Sequence, residues 1–124
     1  MKRTLAALAL SSGLALAPLA TLNPSASADS IVKIVFPRGS FCGNYAGRLS
    51  NGKTFRLGLS ADQTLTVRSL NGSLRIAWVK GPTGFLYGEK PDEESTEYFT
   101  EADGWHYVRI TSYSGRGNIQ FCAE

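Results

Sequence analysis

From residue 31 to residue 121 the sequence alternates apolar and polar residues with a period of two, and helical periodicity does not recur. Val32, Ile34 and Phe36 alternate with Lys33 and Val35, and Phe55, Leu57 and Leu59 with Arg56 and Gly58. Leu65 and Val67 lie between Thr64, Thr66 and Arg68; Leu74, Ile76 and Trp78 are opposed by Arg75, Ala77 and Val79. Near the end, His106, Val108 and Ile110 alternate with Tyr107 and Arg109, and Ile119 and Phe121 supply a last strand. Successive side chains of a strand point to opposite faces, so each segment can bury one face and wet the other. Turn residues punctuate the pattern: Ser60 to Asp62, then Asn71-Gly72, which predicts a tight hairpin, then Gly81 to Gly84. The expected fold is therefore all-β, a small antiparallel β-sandwich of about eight strands, with a small closed barrel as the competing architecture. A single helical turn is expected within Pro91 to Tyr98, where Pro91 suits a first helical position and the acids after it suit the positive end of the dipole.

Ahead of this pattern stands an export signal. Lys2 and Arg3 precede an apolar stretch from Leu5 to Ala17 that is interrupted by Ser11, Ser12 and Gly13 and broken by Pro18; Ala26-Ser27-Ala28 is the small-x-small pattern of a cleavage site. Residues 1–28 are expected to be removed, leaving 29–124 as one secreted or periplasmic domain. The apolar stretch falls short of the roughly 20 unbroken residues of a spanning helix, so no membrane span is expected. Export delivers the only two cysteines, Cys42 and Cys122, to an oxidising compartment, where they are expected to close nearly the whole domain in one disulfide. A pair of redox-active thiols is the alternative, without the Cys-x-x-Cys spacing that usually accompanies it.

The formal charge is +3, and loss of Lys2 and Arg3 leaves about +1, which gives no general attraction to nucleic acid or acidic membrane. Its distribution is uneven. Glu89, Asp92, Glu93, Glu94, Glu97, Glu101 and Asp103 crowd one segment in which Lys90 is the only basic residue. Tyr87, Tyr98, Trp105 and Tyr107 flank it, and rigid rings beside charge are frequent at binding surfaces. Asp92, Glu93, Glu94, Glu97, Tyr98 and Trp105 are accordingly the candidate recognition residues.

No catalytic set is visible. His106 is the only histidine and falls on the parity of Val108 and Ile110, the expected inner face, so no base is at hand to activate a serine or cysteine. Consecutive acids on a loop make a solvated surface rather than the two differently placed carboxyls of a glycosidase. A metal site built on His106, Glu101 and Asp103 would need further ligands that no spacing marks. Arginines at alternating strand positions read as ordinary outward residues, with no phosphate-cradling glycine loop beside them.

The run Ile34-Val35-Phe36-Pro37-Arg38-Gly39-Ser40, then Tyr45-Ala46-Gly47, Phe55-Arg56-Leu57 and Gln63-Thr64-Leu65-Thr66-Val67, resembles the opening of secreted bacterial pre-peptidase C-terminal-type domains. It is also similar to the opening of the periplasmic inhibitors of g-type lysozyme. Asp103-Gly104-Trp105-His106-Tyr107-Val108-Arg109-Ile110 resembles the glycine-initiated strand near the C-terminal end of such domains. The resemblance spans most of residues 31 to 121 and implies a small β-sandwich that accompanies, binds or inhibits something else and is not itself catalytic; no cofactor is expected. Residues and resemblance together predict a non-enzymatic, exported binding module of the cell envelope. Its partner would be another extracytoplasmic, basic protein, for instance a cationic wall-degrading enzyme. A small metal-binding or redox-protective envelope protein, and a structural accessory subunit of a surface layer, are the other readings.

Overall fold

The computed structural model describes residues 30–72, 74–111 and 115–124, so the expected export signal lies outside the described residues. Among the described residues nine strands run in the order β1 (Ile31–Lys33), β2 (Cys42–Arg48), β3 (Lys53–Leu59), β4 (Thr64–Ser69), β5 (Arg75–Gly81), β6 (Gly84–Leu86), β7 (Ser95–Phe99), β8 (Gly104–Thr111) and β9 (Arg116–Ala123). They form two sheets, a five-stranded β1-β3-β8-β5-β6 and a four-stranded β2-β9-β4-β7. The all-β sandwich is thus observed. Every strand pairing is antiparallel except that of β1 with β3, which is parallel.

The alternation does what it predicts. Phe55, Leu57 and Leu59 of β3, Leu65 and Val67 of β4, His106, Val108 and Ile110 of β8, and Ile119, Phe121 and Ala123 of β9 are all buried. Phe55 is the centre of this core: Tyr45 meets it edge-on with ring centroids 4.9 Å apart, and Phe121 lies 5.1 Å away on the facing sheet. Burial of a whole aromatic ring between two sheets is a large hydrophobic term, and edge-to-face pairing adds to it.

Three local expectations are corrected. Asn71-Gly72 does not close a hairpin: Gly72 has φ of 67°, but β4 belongs to the four-stranded sheet and β5 to the five-stranded one. Both strands bury an apolar face, and two such faces are satisfied equally well by lying opposite each other across the core. The same crossing occurs at almost every connection, and among the described residues β5 and β6 are the only consecutive strands that pair with each other. Second, Trp78 is outward and Val79 inward, because the register slips between Ile76 and Trp78 and the extra residue inverts the parity of the rest of β5. Third, Pro91 to Tyr98 holds no helical turn; its second half is β7, paired with β4 at Leu65↔Tyr98 and Val67↔Thr96. Ser95-Thr96-Glu97-Tyr98-Phe99 carries a β-branched and two aromatic residues, and the free edge of β4 gives it a ladder that a lone helical turn lacks.

The loops that join the sheets at one end are tied by Thr100, which is fully buried. Its hydroxyl accepts from the Gln63 amide at 2.7 Å and donates to the Ser60 carbonyl at 2.7 Å. Nearby, the Ala61 amide donates to Asp103 Oδ1 at 2.7 Å, so one of the acids of the charged segment holds a turn in place.

Candidate binding site

The acidic segment starts in the connection between β6 and β7 and continues along β7. Pro91, Asp92, Glu93 and Glu94 are exposed there. The connection is built on Asp92, whose Oδ1 accepts the Glu94 amide at 2.9 Å while its Oδ2 lies 3.6 Å from Arg68 Nη2. Arg68 in turn donates from Nε to Ser95 Oγ at 3.2 Å. Desolvation works against the charged form of Asp92, but the Glu94 amide, the hydroxyl and amide of Ser95 and the Arg68 guanidinium hold its carboxyl below the usual carboxylate range.

This lowered value fixes a pH dependence. A carboxyl depressed in the folded state contributes stability above its unfolded pKa of about 4 and loses it as pH falls through the folded value. The expected result is a fall in thermal midpoint on acidification below about pH 4 that is smaller in Asp92→Asn than in the native chain. Identical acid limbs for the two proteins would show that Asp92 contributes nothing to the slope.

Beside the loop lies a cleft of about 660 Å3, open between the two sheets and lined among others by Val67, Ile76, Lys90, Glu93, Glu94 and Tyr98. Glu93 and Glu94 stand on its rim. Tyr98 is 7 % exposed, on the inward face of β7, and its burial raises the phenol above its ordinary pKa. Gly88 makes room for that ring, since a Cβ there would come within 2.6 Å of Thr96 Cγ2 and of Tyr98 Cε2. Asp92 and Glu97 face the other way, into a shallower cleft of about 330 Å3 on the outer face of the four-stranded sheet with Arg68, Gln120 and Cys122.

Of the six candidate residues, Glu93, Glu94 and Tyr98 line the cleft between the sheets, and Asp92 and Glu97 line the shallower one on the outer face. Trp105 stands apart. It lies on the outer face of the five-stranded sheet, 42 % exposed, with the Arg56 guanidinium 4.4 Å and Lys33 Nζ 5.6 Å from its ring. Of the remaining acids, Asp103 holds the Ala61 amide, and Glu101 accepts from the Thr83 hydroxyl at 3.1 Å.

The metal reading loses its geometry. His106 is fully buried, with Nδ1 3.0 Å from the Gly104 carbonyl and Nε2 without a hydrogen-bond partner among the described residues, whereas Glu101 and Asp103 are exposed. Among the described residues no three His, Cys, Asp or Glu side chains converge on a point that could hold a metal ion. Cys42 and Cys122 are bonded to each other across β2 and β9, where they are directly opposite in the register with Cα atoms 4.0 Å apart. No helix among the described residues is long and apolar enough to cross a membrane.

No family model matches the chain, and no curated protein matches it by sequence. Solved structures do match it in fold. The periplasmic inhibitor of g-type lysozyme from Aeromonas hydrophila superposes with a TM-score of 0.53 at 16 % identity, over 78 % of this chain and all of its own. Its counterpart from Salmonella Typhimurium gives 0.56 at 12 %, over 79 % of this chain and all of its own. The pre-peptidase C-terminal domain of the Bacillus anthracis collagenase gives 0.54 at 11 %, over 81 % of this chain and all of its own. The fold of this chain is thus the one shared by periplasmic inhibitors of g-type lysozyme and a pre-peptidase C-terminal domain, as the strand and turn spacing of its sequence resembles.

Proposed function

We propose that this chain is an exported, non-enzymatic binding module of the cell envelope whose partner is a basic extracytoplasmic protein, with a cationic wall-degrading enzyme of the g-type lysozyme class as the first to test. The observation that carries this reading is the position of the acidic loop. Asp92, Glu93 and Glu94 are exposed on one short connection, and two of the three border the cleft of about 660 Å3 between the sheets. Asp92 serves the fold by holding the connection, but the neighbouring carboxylates of Glu93 and Glu94 have no such role in it, and a basic surface would relieve the mutual repulsion of the three. Glu97 extends the charge along β7 and Tyr98 gives the cleft an aromatic floor. The shared fold supports the reading, since two of the structures it matches are described as periplasmic inhibitors of g-type lysozyme. Trp105, on the other sheet, belongs to a different surface.

Charge of this kind acts chiefly on encounter, raising association rates at low salt and fading as the Debye length shrinks from about 10 Å at 0.1 M towards 3 Å at 1 M. The quadruple variant Asp92→Asn, Glu93→Gln, Glu94→Gln, Glu97→Gln is expected to fold and to bind a g-type lysozyme with an association rate reduced about tenfold or more at low ionic strength. Its rate should also become nearly independent of salt. Surface-immobilised binding kinetics across a salt series measures both. An unchanged rate and an unchanged salt slope in the folded variant would reduce the acidic loop to a solvated surface, and a native protein that binds no g-type lysozyme would remove that partner class.

A further inference from the structure

The five strands of the larger sheet contain no Asp or Glu at all, yet they carry Lys33, Lys53, Arg56, Arg75, Lys80 and Arg109. Cross-strand register gathers several of these on the outer face. Lys33 pairs with Arg56, Arg56 with Tyr107, Tyr107 with Lys80 and Lys80 with Phe85, so one row crosses the whole sheet. At a strand spacing of about 4.8 Å this row is about 19 Å long. The rows beside it hold Gly58 paired with Trp105, and Thr54, Arg109 and Trp78.

Aromatic rings and cations on this face hold one another. Arg56 and Lys33 both lie against the Trp105 ring, Lys80 Nζ lies 5.6 Å from the Phe85 ring, and Trp78 meets Phe85 edge-on at 6.0 Å. Gly58 leaves room for the indole, whose Cζ3 would lie 3.8 Å from a Cβ added there. Arg109 is fixed by Thr54 Oγ1 at 3.1 Å and the Asn51 carbonyl at 3.0 Å. Despite these contacts Trp105 is 42 %, Trp78 38 % and Phe85 57 % exposed. A row of ordered cations with interleaved, exposed rings and no carboxylate is complementary to a linear polyanion that also offers apolar surface.

We propose that this face binds an anionic polysaccharide, a linear chain of sugar rings bearing carboxylates. Carboxylates pair with Arg56, Lys33 and Lys80, and the planar fork of Arg56, already oriented over the indole, suits bidentate contact. The C–H faces of the sugar rings cover Trp105 and Phe85. An anionic lipid surface fits less well, because interfacial binding needs apolar side chains that project into the bilayer, and here the Trp105 ring lies against Gly58 and the cations. A single-stranded nucleic acid fits less well because its successive bases need adjacent parallel stacking platforms, whereas Trp105 and Phe85 stand on strands separated by β5 and Trp78 meets Phe85 edge-on. The site is separate from the acidic loop, so a protein held to an acidic envelope polymer by one sheet keeps the loop available to a basic partner.

The test uses the purified protein and polygalacturonate, with neutral dextran, polyphosphate, single-stranded DNA and phosphatidylglycerol vesicles alongside. Retention of the native protein by polygalacturonate, no retention by dextran, and at least tenfold weaker binding to the other three are expected. The triple variant Lys33→Gln, Arg56→Gln, Lys80→Gln should keep its far-ultraviolet spectrum and lose at least tenfold in polygalacturonate affinity. Trp105→Ala should lose affinity with the charges intact, and Glu93→Gln/Glu94→Gln should leave it unchanged, which separates this surface from the acidic loop. The idea is overturned if the native protein ignores polygalacturonate or if the folded triple variant binds it as well as the native chain. Equal or tighter binding to polyphosphate, DNA or vesicles overturns it too.

Discussion

Replacing both Cys42 and Cys122 by serine is expected to lower the free energy of unfolding by about 4–5 kcal/mol, the value that chain entropy assigns to a closed loop of about 80 residues. The bond links residues 80 apart in sequence, so it removes most of the freedom of the unfolded chain. In the folded state its contribution is small by comparison. Cys42 and Cys122 are opposite each other in a ladder that continues through Arg48↔Arg116, and that register is set by backbone pairing and by the inward Tyr45, Ile119 and Phe121. The serine variant should therefore keep the same sheet order while its stability falls to a small remainder, since a domain of this size has about 5–15 kcal/mol in total. Urea denaturation of the two proteins measures the loss. The denaturant slope should rise as well, because the unlinked chain exposes more surface when it unfolds. A difference below about 1 kcal/mol would mean that the unfolded chain keeps its ends together without the bond.

Strand positions were legible because a strand that buries one face writes a period of two into the sequence, and Phe55-Arg56-Leu57-Gly58-Leu59 or His106-Tyr107-Val108-Arg109-Ile110 admits little else. Sheet membership was not legible. Asn71-Gly72 favours a tight turn, but a turn states only that the chain reverses, and whether the next strand pairs beside the last or opposite it depends on partners far along the chain. β4 takes β9 and β7 as neighbours, and β5 takes β8 and β6. The inverted parity of Trp78 and Val79 is a second case, since one extra residue in β5 changes every face beyond it and leaves no mark in composition. β2 was the hardest to see: Cys42-Gly43-Asn44-Tyr45-Ala46-Gly47-Arg48 has almost no apolar alternation, because Gly43 and Gly47 occupy inward positions where larger side chains have no room.

The acidic loop was legible as charge, and its location by the cleft was not. Asp92, Glu93, Glu94 and Glu97 remain neighbours because they are close in sequence. Tyr98 and Trp105 are separated by the strand parity and sheet order that sequence spacing cannot supply: the first turns inward and the second belongs to the other sheet. The converse holds for Lys33, Arg56, Tyr107, Lys80 and Phe85. Each reads singly as an ordinary outward residue, and only the register across five strands places them in one row. His106 was assigned correctly from parity alone, as a buried residue of the inner face.

Phe55→Ala is expected to cost about 3–5 kcal/mol, the range for removing a fully buried aromatic ring. The residue is fully buried, and its ring is the one that meets aromatic neighbours on both β2 and β9, at 4.9 Å from Tyr45 and 5.1 Å from Phe121. Truncation therefore removes the transfer term of the ring, two aromatic contacts and the contact between the sheets at one point. The space left can close only if the sheets approach, which β3 resists because it is paired on both sides, with β1 and with β8. Trp105→Ala, on the outer face of the neighbouring strand, should cost far less, within about 1 kcal/mol, because the ring is already partly in water. Comparing the two by urea midpoint tests whether the core is divided as described. A Phe55→Ala loss no larger than that of Trp105→Ala would show that the sheets can collapse onto the vacated space, and that the aromatic cluster does not hold them apart.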